Sequence, residues 1–418
     1  MNKETAELSR RNFLRVGGAA GALSAVRLAA PARVWAWSST GSLAGDGPNA
    51  DPVTVYDKLA DPVVAQLYKQ DQWEQVNRVL KAWTTNSQSL PAGLPSYAAD
   101  FLRHARQLPS WTDWDLLSEF NEFFKLNGDY VGLLYGIGSG FMSTAIPNEA
   151  RAVYYSQGGA EMKDRIAKTA LLGYDSVQSD AYTPSGSMIV TAVKTRMIHS
   201  AVRHLLPQSP YYPVDKIPIS QADILITWHS LCTFTMKKLT AWNVPISQAQ
   251  ADGFLHLWQV TAHMLGVEDR YIPATWDDAY EQSANLLDPV LGPTPEGANL
   301  AQILIGLVTK ELAGVPAPFI CAFIHYVLGD TVAGYAQIPN YPDLEAAISE
   351  AWPWYVKYQT GEQSTNLIPS DVNGYFDEIL EVGLLDYFSD GTKIDITLPS
   401  GNRTNFTNQS GNQPWSAP

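Results

Sequence analysis

The sequence predicts an all-α fold, a single large helical domain, and three observations predict it. From about Asp57 onward apolar residues recur at helical spacing in nearly every segment. The prolines at 207, 210, 213, 218, 245, 273, 289, 293, 316 and 318 fall mostly between those segments, where a missing N–H does no harm. Strand-like alternation is nearly confined to "KIDITL", which begins at Lys393. The chain has 418 residues, 45% of them hydrophobic, so a large core is within reach. No internal repeat period stands out.

Taken in order, the chain opens with "LSRRNFLRVGGAAGALSA". Arg10 and Arg11 form a twin-arginine pair, and Val16 to Val26 is too short and too small-residue-rich to span a bilayer. Ala30-Pro31-Ala32 and Val34-Trp35-Ala36 offer cleavage sites, so residues 1–36 read as a twin-arginine signal peptide. Residues 37–56, rich in Ser, Gly and Asp, read as a linker. The helical domain is expected over 57–398 and a polar, flexible tail over 399–418.

Helices are expected over roughly 57–84, 112–127, 129–143, 158–174, 187–206, 219–240, 247–265, 275–288, 297–312, 316–329 and 341–358. "TDWDLLSEFNEFFKLNG" shows why: Thr112 can cap, Leu116, Leu117, Phe120, Phe123 and Phe124 form one stripe, and Gly128 can end the helix. Ser247 and Gln250 form a capping box at the next clear start.

The formal net charge is −14, and loss of the basic leader would make the chain more acidic still. Such a surface lacks the basic patch that nucleic acid requires, and anionic membrane surfaces are disfavoured too. No later segment is apolar enough for a stable membrane anchor. Cys232 and Cys321 are the only cysteines, so thiolate-ligated zinc and iron–sulfur clusters are excluded, while a single Cys232–Cys321 bridge stays open. A monomer is expected.

None of the seven histidines belongs to a compact zinc signature. His256 and His263 lie opposite the stripe of Phe254, Leu257, Trp258, Thr261 and Leu265, so they read as a solvated face. His199 differs. In "KTRMIHSAVRHLLP" Arg196 precedes it by three residues and Arg203 follows by four, with Ala192 and Thr195 on the same side. Small groups before a histidine leave room for a flat ligand, and flanking arginines can pair with carboxylates, whether those of a ligand or of the protein. The plainer account is a surface helix with ordinary basic residues.

"EMKDRIAKTALLG" sets Arg165, Lys168, Thr169 and Leu172 on one face. They are either ordinary i,i+4 salt bridges with Glu161 and Asp164 or the polar rim of a pocket. Glu149 follows Pro147 and Asn148 at a helix start, where a carboxylate is favoured and a nearby arginine could hold it as a base.

Together the twin-arginine leader, "PNEARAVY", "RIAKT", "KTRMIHSAVRHLLP" and "HLWQVTAHMLGVEDRYIP" resemble the latex clearing proteins. These are secreted haem b rubber oxygenases of actinobacteria within a wider family that includes the fungal MpaB type. The resemblance covers most of the mature chain, in the family's order and spacing. It implies a globin-like helical core holding one haem b, with His199 as the proximal iron ligand. Lys168 would be the distal ligand of a closed state, a role that needs a neutral amine. Glu149 would be the catalytic base, Arg165 its orienting partner, and Thr169 a residue of the distal pocket. Arg196 and Arg203 would offset haem propionates or neighbouring carboxylates.

The implied activity is oxygenolytic endo-cleavage of cis-1,4-polyisoprene by molecular oxygen, giving oligo-isoprenoids with aldehyde and ketone ends. The implied partners are the polymer, oxygen and the Tat export machinery, and the implied location is extracellular, since an insoluble polymer cannot enter a cell. The alternatives are a related haem oxygenase for a small isoprenoid or lipid, and a non-catalytic haem protein that binds oxygen. A copper site has no histidine grouping to favour it.

Overall fold

Apolar stripes at three- and four-residue spacing build helices along almost the whole chain, as the periodicity requires. The computed structural model describes residues 41–45, 50–157, 162–212, 217–312, 314–359, 370–381 and 396–403, leaving aside the side chains of 157, 162–167, 169, 370, 371 and 381. The expected leader, 1–36, lies outside the described residues.

In chain order the helices are α1 (Ala60–Lys69), α2 (Trp73–Leu80), α3 (Ser96–Ala105), α4 (Trp114–Leu133), α5 (Phe141–Thr144), α6 (Pro147–Tyr155), α7 (Met162–Val177), α8 (Met188–Leu205) and α9 (Gln221–Leu231). After them come α10 (Thr233–Ala241), α11 (Gln248–Met264), α12 (Trp276–Leu286), α13 (Pro295–Glu311), α14 (Ala317–Leu328), α15 (Asp330–Tyr335), α16 (Pro342–Gln359) and α17 (Ser370–Glu381). The all-α expectation holds. Among the described residues the strands are a two-residue antiparallel pair, Ser156–Gln157 with Gly401–Asn402. Ile396–Leu398, the described part of "KIDITL", is not a strand.

Several boundaries differ from the sequence expectation. Asp113, not Thr112, caps α4: its carboxylate accepts from the N–H groups of Asp115 and Leu116. Gly128 does not end α4, because the Phe120, Phe123 and Tyr130 stripe continues to be buried past it. That helix passes into a π-helical turn at Leu134–Gly140. There the backbone of Gly138 approaches Phe234 so closely that a Cβ would sit 2.6 Å from its ring. The expected helix over 57–84 breaks at Asp71, which takes a positive φ of 53°. The one over 219–240 breaks at Cys232.

The core is centred on α4 and α11. Phe120, Phe123 and Phe254 pack ring against ring, 5.2–6.1 Å between centroids. All three are essentially fully buried, each worth about 1.5–3 kcal/mol of transfer free energy. Gly253 lets these helices touch: a Cβ there would lie 2.6 Å from the backbone of Leu116 and Phe120.

Burial of α11 on nearly every side overturns the reading of His256 and His263 as a solvated face. His256 is buried, its Nε2 accepting from the Asp113 N–H at 2.8 Å and its Nδ1 meeting Gln259 Oε1. His263 is only part-exposed and pairs through Nδ1 with Asp269 at 2.6 Å. A helical wheel of α11 separates apolar from polar residues, but both faces have protein partners.

The linker and tail expectations also need correction over their described residues. Ser42 is buried and bridges to Pro273, and Val55 is in the core. At the other end Gly401–Asn402 pairs with Ser156–Gln157, and Tyr68 donates to the Pro399 carbonyl at 2.6 Å. Backbone pairing holds these polar stretches where composition alone suggests freedom. Cys232 and Cys321 are buried free thiols, so no bridge joins them. Among the described residues no helix is long and apolar enough to cross a membrane.

Candidate active site

α8 carries His199 at its centre. The helix is buried over most of its length, but Thr195 and His199, one turn apart, are both part-exposed and form a stripe that reaches outward. The imidazole Nδ1 is buried and has no hydrogen-bond partner. Burial, reinforced by the positive Arg203, pushes the ring down to about 3, so His199 is neutral at physiological pH.

The other buried histidines behave differently. His229 meets Gln282 at 2.9 Å through Nε2 and Thr233 through Nδ1. His256 is engaged at both nitrogens, as described above. His325 meets Asp330 at 2.8 Å through Nδ1 and the Ile338 carbonyl at 3.1 Å through Nε2. A buried nitrogen without a partner costs free energy unless something else satisfies it. A neutral imidazole in that condition has the chemistry of a metal ligand, so the residue fits the proximal position of a haem.

Arg196 and Arg203 are both buried and both bonded to carboxylates of the protein. Arg196 Nη2 donates to Asp57 Oδ1 at 3.0 Å, with a second bond from Nε to Oδ2. Arg203 reaches Asp61 through Nε at 2.9 Å and Nη2 at 2.7 Å, and donates to the Ile219 carbonyl at 2.8 Å. Ser200 completes the lattice, donating to Asp61 at 2.7 Å. Of the two partners expected for these arginines, neighbouring carboxylates are the ones the described residues supply. Burial alone would raise Asp57, yet its bonds to Arg196 and to the Ala60 N–H hold it below the usual carboxylate range.

Glu149 lies in the first turn of α6, opened by Pro147 at its first position. The residue is part-exposed, and its Oε1 accepts a hydrogen bond from the Thr227 hydroxyl of α9. Burial pushes the carboxyl up to about 8, against the Thr227 bond and with help from the charge of Asp223. Asn148, beside it, donates to Asp223 Oδ1 at 3.0 Å.

One apolar cluster ties this helix to α8. Ala150 and Tyr154 share it with Val202 and Leu206, and Ile198 packs against it. The residues adjoining Glu149 and His199 therefore sit in one packed unit. Among the described residues no hydrogen bond joins Glu149 to His199 directly.

On α7, Lys168 is part-buried and its amine donates to the Thr397 hydroxyl at 3.5 Å. The side chains of Arg165 and Thr169 lie outside the described residues. Sequence reasoning did not find Asp57, Asp61, Asp223 or Thr227. Asp57 and Asp61 look locally like acidic residues at a helix start, which needs no distant partner to explain it.

A helical domain with a neutral imidazole whose buried Nδ1 lacks a partner, and a carboxyl pushed above the usual carboxylate range, has the parts of a cofactor-dependent oxygenase. The catalytic-domain profile described as "ER-bound oxygenase mpaB/B'/Rubber oxygenase" matches residues 125–357. The "Rubber oxygenase" of Streptomyces sp. (strain K30) is 51% identical over 402 residues, 94% of this chain and 98% of that one. The structure of latex clearing protein LCP in the closed state superposes with a TM-score of 0.84 at 51% identity, covering 88% of this chain and all of the other. The chain belongs to the MpaB and rubber oxygenase family.

Proposed function

We propose that this protein is a secreted haem b oxygenase that cleaves the double bonds of cis-1,4-polyisoprene with molecular oxygen. The products would be oligo-isoprenoids with aldehyde and ketone ends, released by cuts within the chain. The observation that carries the reading is His199, a part-exposed, neutral imidazole whose buried Nδ1 has no protein partner. The 51% identity with a rubber oxygenase over nearly the full length of both chains supports the substrate class.

His199 would hold the haem iron on the proximal side and Lys168 would approach it from the distal side in a closed state. Haem supplies the oxygen-activating redox chemistry, which no amino-acid side chain provides. Arg196 and Arg203 act on the ligand through the protein: pinned to Asp57 and Asp61, they fix α8 against α1 and so fix the direction of the imidazole. Lys168 would have to shed its proton to bind metal and withdraw for substrate. Its contact with Thr397 offers the amine a second place to rest.

Glu149 serves as the base that takes an allylic proton from the polymer. Burial pushes its carboxyl up to about 8, which favours the neutral form, so it would have to ionise before it acts. Arg165 would favour that ionised form, and Thr169 would line the pocket beside it. The chain reaches its insoluble substrate by twin-arginine export and works outside the cell.

The test is an absorption spectrum of the purified protein and of His199→Ala, with carbonyl release from latex, a small terpenoid and a lipid measured in parallel. A Soret band that His199→Ala loses, together with carbonyl release from latex, is the expected result. A colourless, iron-free protein that still degrades latex at full rate would overturn the cofactor. Turnover confined to the small molecules would overturn the substrate, and a haem-loaded protein that turns over none of them would be an oxygen binder.

A further inference from the structure

We infer that Asn148 and Asp223 are positioning residues for Glu149: the side-chain bond they form between α6 and α9 sets where the Glu149 carboxyl sits and which charge it faces. The inference rests on the reading of Glu149 as the base.

Two consecutive residues on α6 meet two residues one turn apart on α9. Asn148 Nδ2 donates to Asp223 Oδ1 at 3.0 Å, and the Thr227 hydroxyl donates to Glu149 Oε1. Residues four apart lie on one face of a helix, so both contacts use the same stripe. On α9, residues 221–230 are buried except for Asp223 and Thr227, which are part-exposed. The part-exposed stripe of this helix is thus the one that holds Asn148 and Glu149.

One hydroxyl could follow a glutamate through several rotamers. A second bond from the preceding residue removes that freedom, because it fixes the backbone from which the glutamate springs. Asp223 is itself held. Its Oδ2 accepts from the Ser220 N–H at 2.8 Å and the Ser220 hydroxyl at 2.9 Å, closing the capping box of α9. Its charge therefore stands at a fixed place beside the Glu149 carboxyl. After burial, that charge is what opposes ionisation of Glu149.

The other elements around Glu149 contribute less. On the α13 side Glu296 accepts from the Tyr155 hydroxyl at 2.8 Å and lies 3.9 Å from Arg151. α5 carries no titratable residue. The Arg165 side chain of α7 lies outside the described residues.

The test compares haem-loaded wild type with Asp223→Asn, Asn148→Ala, the double variant Asn148→Asp/Asp223→Asn, Ser220→Ala and Glu149→Gln. Two readouts are taken across pH: carbonyl release from latex, and the protonated-carboxyl infrared band that Glu149→Gln removes. Asp223→Asn is expected to move the infrared titration and the acid limb of kcat together to lower pH, by about one unit. Asn148→Ala is expected to lower kcat about tenfold with KM unchanged, and the double variant, which re-forms an amide-to-carboxylate bond, to recover most of it. Ser220→Ala removes the cap and one of the bonds to Asp223 Oδ2, but leaves the Asp223 charge, its bond from the Ser220 N–H and its bond to Asn148 in place, so it should lower the thermal midpoint and move the pH limb much less than Asp223→Asn does.

An infrared titration that Asp223→Asn leaves in place overturns the inference. So does an Asn148→Ala enzyme that loses only stability. A fully active Glu149→Gln would instead sink the reading of Glu149 as base, and the infrared titration would still decide whether the Asn148–Asp223 pair controls the carboxyl.

Discussion

Arg203 and Asp61 form a forked ion pair, with Nε at 2.9 Å and Nη2 at 2.7 Å from the same carboxylate oxygen, although 142 residues separate them in sequence. Arg196, two turns back on α8, forms a second pair with Asp57, which lies just before α1, with one bond to each carboxylate oxygen. The helix that carries His199 is thus riveted to the start of the domain on both sides of the histidine.

Removing one partner should be costly. Asp57 also accepts from the N–H groups of Leu59 and Ala60, so Asp57→Ala strands a buried guanidinium and uncaps α1. The expected loss is about 3–5 kcal/mol, the range for breaking a buried pair from one side. Urea unfolding of the variant measures it, and a loss below about 1 kcal/mol would show that the pair is idle. Because the folded Asp57 is held below its unfolded value, its contribution is present above pH 3.8 and fades as pH drops through the lower folded value.

His229 gives a pH dependence of its own. It is fully buried between Gln282 and Thr233, and burial pushes it down to about 3. Between pH 6.5 and 3 the unfolded chain takes up a proton at this position that the folded chain refuses. Stability should therefore fall as pH falls through that window. His229→Gln should flatten the slope of thermal midpoint against pH there, and an unchanged slope would reject the assignment.

Glu149 works in the opposite sense. Its folded value, about 8, lies above the usual 4.5, so the folded chain holds a proton that the unfolded chain has lost across that window. Stability drawn from this residue declines as pH rises from 4.5 to about 8 and levels off above that. Glu149→Gln should abolish carbonyl release yet raise the thermal midpoint relative to wild type more at pH 9 than at pH 5. Equal midpoint differences at the two pH values would show that the carboxyl is not strained by burial.

Gly253 tests the helix contact that centres the core. A methyl at this position would press on the α4 backbone at 2.6 Å, and backbone cannot step aside as a side chain can. Gly253→Ala should cost about 1–3 kcal/mol despite the better helix propensity of alanine. Calorimetry of the variant decides it, since a neutral or stabilising result would mean that the two helices separate freely.

Much of this was legible in one dimension. Periodicity and capping boxes located nearly every long helix, because those signals are local and follow from 3.6 residues per turn. The stripe through Arg196, His199 and Arg203 was visible for the same reason. Partners were not. Nothing near Asp57 or Asp61 in sequence announces an arginine about 140 residues away, and nothing near Thr227 or Asp223 announces Glu149 and Asn148. His256 and His263 show the limit most clearly. The wheel sorted them correctly onto the polar side of α11, but whether that side meets water or protein depends on what packs there.

The sequence by itself determined the all-α fold class and the residue types available for chemistry, and it predicts an export leader. Tertiary structure alone decided which carboxylates neutralise the arginines, which histidine keeps a nitrogen without a partner, and which charge stands beside the buried glutamate. The physical reason is range. Helix formation is governed by neighbours within four residues, whereas burial and Coulomb interaction depend on distances that only the folded chain sets.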